Sequence, residues 1–234
     1  MKKLILYVTL GILSCAEISF GEENFDDFQK RAIDYNLEIA KLSLSKNPQE
    51  ALKKCEEAIK YFEDEVLFKK VFLREKALLC CECESYEEAL QVLNEIESDK
   101  EIAEWVLNFI KFKTECEKFL DVIKISSDVG KYWMVMSQIE DALEYANVTK
   151  LIPRFSKHKK DVIAGLLLLR GSAFQFLAQK YIEDEDAFAV FAFQRLGYNE
   201  FEKAKKITSD EVNIRKINDI LERFKKANDY KKRK

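Results

Sequence analysis

Apolar side chains recur every three or four positions from Phe25 through Phe28, Ala32, Tyr35 and Ile39 to Leu42, the spacing of one face of an α-helix. The pattern breaks at Asn47-Pro48-Gln49-Glu50, where Asn is a good cap, Pro fits the first helical position and Glu suits the first turn. A second helix follows, with Ala51, Cys55, Ala58 and Phe62 in phase. Residues 73–96 then spell out a helix hairpin. Leu73, Ala77 and Cys80 line one short amphipathic helix and Tyr86, Ala89 and Leu93 the next, with the alanines placed where two backbones approach. Ser85 and Glu88 have the S-x-x-E spacing of a capping box, which starts the second helix at Tyr86.

Residues 102–112 are apolar and aromatic, with Trp105, Phe109 and Phe112, show no clear cap, and are expected to fill the space between hairpins. A further hairpin runs from Phe119, Val122, Ile123 and Ser126 through Gly130-Lys131-Tyr132 to Val135, Ile139 and Ala142. Val135 stands where the earlier hairpin has a small Ala, which implies a wider helix separation or a divergent unit. Pro153 ends that helix, and Lys157-His158-Lys159-Lys160 forms a basic turn. The apolar stretch 162–179 is broken by Arg170 well short of the roughly 20 residues of a membrane span, so a buried helix is expected. Phe188, Phe191 and Phe193 fall within ten residues and are expected to be enclosed by neighbouring helices, with enclosure by a partner as the alternative. Phe201, Ala204 and Ile207 form another helix face, Thr208 and Glu211 a second capping-box spacing, and Ile214, Ile217, Leu221 and Phe224 one face of a final helix. The acidic run Glu183-Asp184-Glu185-Asp186 and the basic tail 231–234 read as solvated charge.

Composition narrows the class. Only six Gly and two Pro in 234 residues leave few places to break helices, so the chain is expected to be all-α. The net charge of −3, with both signs heavily used, supplies no global field for nucleic acid or an anionic membrane. Lys2 and Lys3 before the apolar residues 4–13 have the layout of a signal peptide, and the protein is expected to be exported, to a periplasm, an envelope or a secretory lumen. Cleavage after Ala16, cleavage after Gly21 and lipidation at Cys15 compete, the last because Ile12-Leu13-Ser14-Cys15 resembles a bacterial lipobox; an uncleaved anchor is the fourth possibility. A membrane is expected as a partner only if Cys15 is lipidated or the signal peptide stays. The organisation is then a signal peptide over 1–21, hairpins over 25–152, degenerate hairpins and a closing helix over 153–229, and a basic tail over 230–234.

Candidate chemistry is thin. Cys80-Cys81-Glu82-Cys83 looks like a metal or redox cluster, yet on a helix only Cys80 and Cys83 share a face, and the chain's single His, His158, lies far away. Packing is the expected role of Cys80, with a disulfide, thiol switch or bound metal as the alternative. No phosphate-binding Gly-rich loop, G-x-S-x-G or H-E-x-x-H occurs, and His158 among lysines has no recognisable nucleophile beside it. Neither enzymatic activity nor a cofactor is expected.

The order Leu73, Ala77, Cys80, Tyr86, Ala89, Leu93, Ile96 resembles a tetratricopeptide (TPR) unit, and Gly130 with Tyr132 resembles that family's G-x-Y turn. Aligned through Ala51, Ala89 and Val135, three units follow one another, spaced more widely than in a regular array. The resemblance implies an irregular α-α superhelix whose first helices line a concave groove for a protein or peptide. Carried across residue by residue, the groove positions are Asn36 and Ala40, then Arg74, Leu78 and Cys81, then Leu120, Lys124 and Ser127. They do not reproduce the Lys/Asn/Arg set with which some TPR domains clamp a chaperone's C-terminal carboxylate. The expected function is an extracytoplasmic adaptor. The alternative is a holder of unfolded polypeptide, similar in layout to lumenal TPR co-chaperones of the J-protein family but without a J domain.

Overall fold

The computed structural model describes residues 22–232 apart from 46, 97–98, 184–185 and 209, and side chains from 27 to 223 apart from Glu183. The signal-peptide reading and Cys15 lie outside the described residues. Among the described residues all regular structure is helical: α1 (Glu22–Leu44), α2 (Pro48–Tyr61), α3 (Val66–Glu82), α4 (Tyr86–Glu95), α5 (Lys100–Asp128), α6 (Tyr132–Val148), a 3-10 turn at Pro153–Phe155, α7 (Ser156–Glu183), α8 (Ala187–Ile207) and α9 (Glu211–Lys232). Contacts divide the chain into two compact units, Met1–Ile110 and Lys111–Lys234, with the division inside α5.

The sequence placed filler and a new hairpin along this stretch, but the helix is continuous for 29 residues, with no Gly or Pro between Lys100 and Asp128 to break it. Its cap is Asp99, whose Oδ1 accepts from the Ile102 N–H at 3.2 Å. Asn47 caps α2 as expected, accepting from the Glu50 N–H at 3.3 Å. α4 does begin at Tyr86, but Ser85 makes no side-chain capping bond. Glu88 is drawn instead to Lys76 on α3, at 2.8 Å. The second capping box is also displaced: α9 starts at Glu211, and Asp210 caps it by accepting from the Val212 N–H at 3.0 Å.

In the first unit α1, α2 and α3 close around Phe62 and Phe72, whose rings stack at 5.4 Å, with Tyr35 and Phe68 against them. The small Ala32, Ala51, Cys55 and Ala58 let the helices approach this aromatic centre. Burying a side chain such as Phe62 stabilises the unit by roughly 1.5–3 kcal/mol. Lys76 ties the outer helices together through Glu56 of α2 and Glu88 of α4, at 2.9 and 2.8 Å. Burial works against its charge, but those bonds outweigh burial and hold its pKa above that of an ordinary lysine.

The core of the second unit joins Ile139 and Leu143 of α6, Leu166, Leu167, Ala173 and Leu177 of α7, Phe201 and Ala204 of α8, and Ile217 and Leu221 of α9. α5 and α6 approach less closely than the paired helices of the other hairpins, in keeping with the bulk of Val135. α7 and α8 approach most closely at Gly171 and Gly197. A Cβ on Gly171 would lie 2.8 Å from the Phe201 ring, and one on Gly197 would lie 3.0 Å from the Gly171 carbonyl oxygen. Beside this crossing Arg170 donates to Glu200 Oε2 through Nε and Nη2, at 3.0 and 2.6 Å, while Lys203 donates to Oε1 at 2.8 Å. By composition the stretch Pro153–Ile182 is long and apolar enough to cross a membrane, yet Ala164, Leu166, Leu167, Ala173 and Leu177 on it are core residues of this unit.

The α3–α4 and α5–α6 turns share one geometry. Ser85 N–H bonds to the Cys80 carbonyl at 2.8 Å and Glu84 N–H to Cys81 at 3.2 Å; Lys131 N–H bonds to Ser126 at 2.9 Å and Gly130 N–H to Ser127 at 3.0 Å. The second residue after each helix is left-handed, Glu84 at φ 61° and Gly130 at φ 71°. Only the second turn has the residue that accepts this conformation freely.

Two stability predictions follow from these geometries. Glu84→Gly is expected to raise stability by about 0.5–1 kcal/mol and Gly130→Ala to lower it by about 1–2 kcal/mol, read from urea midpoints at constant slope. Glu200→Ala removes the carboxylate that pairs with the half-buried Arg170, and a loss of about 2–3 kcal/mol is expected from urea midpoints.

Candidate interaction surfaces

The proposed groove residues of the first unit are mostly enclosed. Asn36 is buried and its Nδ2 donates to the Ala32 carbonyl of its own helix at 3.0 Å. Leu78 is buried, and Cys81 is 0% exposed, so its assignment to an open surface is corrected: α3 is covered around most of its circumference. Ala40 is half-buried. Arg74 is exposed but occupied, pairing with the carboxylate of Asp99 that caps α5. In the second unit Leu120 and Lys124 are exposed and Ser127 is half-buried, all on α5.

The cysteines are arranged for packing. Cys55, Cys80, Cys81 and Cys116 are buried, Cys83 is partly exposed, and none of the five is in a disulfide. Cys55 donates its thiol proton to the Phe72 carbonyl at 3.1 Å. Burial pushes the Cys80 thiol up to about 12, with Glu88 adding to the effect, and pushes Cys116 up to about 11; burial and the acidic Glu82 and Glu88 also raise Cys83. Such thiols hold little of the nucleophilic thiolate at neutral pH. Among the described residues no group of three or more His, Cys, Asp and Glu side chains is placed to hold a metal ion.

An open cavity of about 400 Å³ lies in the first unit over Ile59, Leu73 and Val92. Its rim carries both signs, including Lys60, Lys69, Glu63 and Glu95, which gives it no net preference for a charged ligand.

The most exposed aromatic surface belongs to the second unit. Tyr132 stacks on Phe176 at 4.2 Å, Trp133 meets Phe193 edge-on at 5.9 Å, and Tyr181 stacks on Phe193 at 5.5 Å. These contacts gather the start of α6, the far half of α7 and the start of α8. On this end Trp133 is 61% exposed and Phe176 is also exposed. Phe188 is 82% and Phe191 62% exposed, which corrects the expectation that they are enclosed. The signal was present in helical phase. Gly197, Glu200, Phe201 and Ala204 fix the buried side of α8, and Phe188 and Phe191 fall nearly opposite. Asp186, expected only as solvated charge, caps α8 by accepting from the Ala189 N–H at 2.9 Å.

Charge is divided as well. Residues 1–110 carry 14 Lys and Arg against 23 Asp and Glu, while residues 111–234 carry 25 against 19. The overall −3 thus combines an acidic first unit with a basic second one.

The thiol environments predict that alkylation of the native chain at pH 8 modifies Cys83 first, and Cys80 and Cys81 only at the rate of unfolding; peptide mass spectrometry against time checks this. No family model, curated protein or solved structure matches this chain.

Proposed function

We propose that the chain is a non-enzymatic, TPR-like adaptor, acting outside the cytoplasm, that holds a protein or peptide partner. The observation that carries the reading is the aromatic end of the second unit, where Trp133, Phe176, Phe188 and Phe191 stand in solvent. Large aromatic side chains left uncovered cost solvation free energy in the free chain and regain it when a partner covers them. Hot spots of protein interfaces are enriched in such residues. Leu120, Lys124 and Ser127 of α5 are the groove positions of this unit that remain at or near the surface, and they extend the proposed contact. Successive antiparallel helices, with the family-like turn at Gly130-Lys131-Tyr132, support the TPR-like frame.

The same aromatic surface also suits the second reading, a holder of unfolded chains. Photo-crosslinking from position 191 in the native host separates the two. A discrete partner is expected, lost at least tenfold when Trp133→Ser and Phe188→Ser are introduced with circular dichroism unchanged. Equal crosslinking by the double variant would refute the adaptor surface. Suppression of aggregation of unrelated denatured proteins at substoichiometric amounts, lost in that variant, would transfer the function to the chaperone-type reading.

A further inference from the structure

The opposite end of the second unit has a different chemistry. From Asn147 to Lys160 the chain contains no acidic residue, and it carries Lys150, Arg154, Lys157, Lys159 and Lys160 with His158. Residues 157–160, expected as a loop, form the first turn of α7. Hydrogen bonds from two side chains build the corner. Lys159 Nζ donates to the carbonyls of Asn147 and Thr149, at 2.9 and 2.7 Å, and so fastens the end of α6 to the start of α7. The Thr208 hydroxyl donates to Asp161 at 3.4 Å, which brings the end of α8, with Lys205 and Lys206, to the same corner. Lys150, Lys157, Lys160, Lys205 and Lys206 are all exposed. Asp161 and Asp210 lie at the same corner, where Asp161 accepts from Thr208 and Asp210 caps α9.

Apolar side chains are interleaved with these cations. Val148 is 68% exposed, Pro153 is exposed, and Leu151 and Ile152 are half-buried in the same loop. A purely polar, acidic partner would have no use for them, whereas the boundary of a lipid bilayer accepts both an apolar tip and a ring of lysines. We propose that this corner of the second unit docks on an anionic membrane surface, with Lys150, Lys157, Lys160, Lys205 and Lys206 facing the phosphate headgroups and Val148 entering the acyl boundary. The site is independent of Cys15 and of the aromatic end.

Co-sedimentation of the full chain with vesicles of phosphatidylcholine, with and without one part in three of phosphatidylglycerol, tests it. Binding is expected to the anionic vesicles only and to weaken steeply between low and physiological salt. The paired substitution Lys157→Glu with Lys160→Glu is expected to weaken it at least tenfold, and Val148→Ser severalfold without any change of charge. These side chains are solvent-facing, so helicity by circular dichroism is expected to be unchanged. Equal binding to neutral vesicles, or binding unaltered by the lysine pair, would overturn the proposal. Retention on immobilised polyglutamate with none on anionic vesicles would also overturn it and assign the corner to an acidic protein segment.

Discussion

Gly171 and Gly197 meet where α7 crosses α8, and core side chains of the second unit such as Phe201 are arranged around that contact. The missing Cβ atoms let the Phe201 ring lie on the α7 backbone, and the same close approach brings Arg170 within reach of Glu200, next to Phe201 in sequence. A hydrophobic contact and a largely desolvated ion pair therefore rely on one spacing. Once Gly197, Glu200, Phe201 and Ala204 are committed to the interior, the first turns of α8 have no freedom to hide Phe188 and Phe191. The exposed aromatic end is a geometric result of how the core is closed.

Legibility in the sequence tracked how local the determining physics was. The Asn47 cap, the start of α4 at Tyr86 and the Gly130 turn each depend on a few adjacent residues, and all are present. Readings that depended on a distant partner fared differently. Glu88 has the spacing to cap its own helix, but Lys76 on the preceding helix offers a full charge and takes it. Cys81 occupies a helical phase that seemed open, but other elements cover it. Residues 102–112 were read as filling between hairpins and Phe119 onward as a new hairpin, although a stretch without Gly or Pro has no reason to stop, and both lie on one helix. The candidate surfaces were the least legible part, since an exposed Phe and a buried Phe look alike until the packing direction of the helix is known.

Composition concealed the electrostatics in the same way. A net charge near zero is compatible with an even scatter of both signs or with two regions of opposite sign, and this chain has the second arrangement. Within the basic unit the distribution is uneven again. Lysines converge at the α6–α7 corner through bonds made by Lys159 and Thr208, whose partners lie between ten and 47 positions away in sequence. At the other end of the unit the aromatic residues converge. One helical body thereby presents two chemically distinct faces, and each can be altered without touching the other.

The four enclosed thiols and the half-exposed Cys83 make the order of events during biogenesis matter. In the unfolded chain every cysteine recovers ordinary acidity and solvent access, so in an oxidising medium any pair can be joined before the helices assemble. A disulfide formed then would hold together residues whose native sites are separate packing positions, and it would have to be reduced before the chain could close around Phe62 and Phe72. Rapid collapse of the first unit is therefore its own protection against oxidation, and reducing equivalents act as an aid to folding without contributing to the stability of the folded chain.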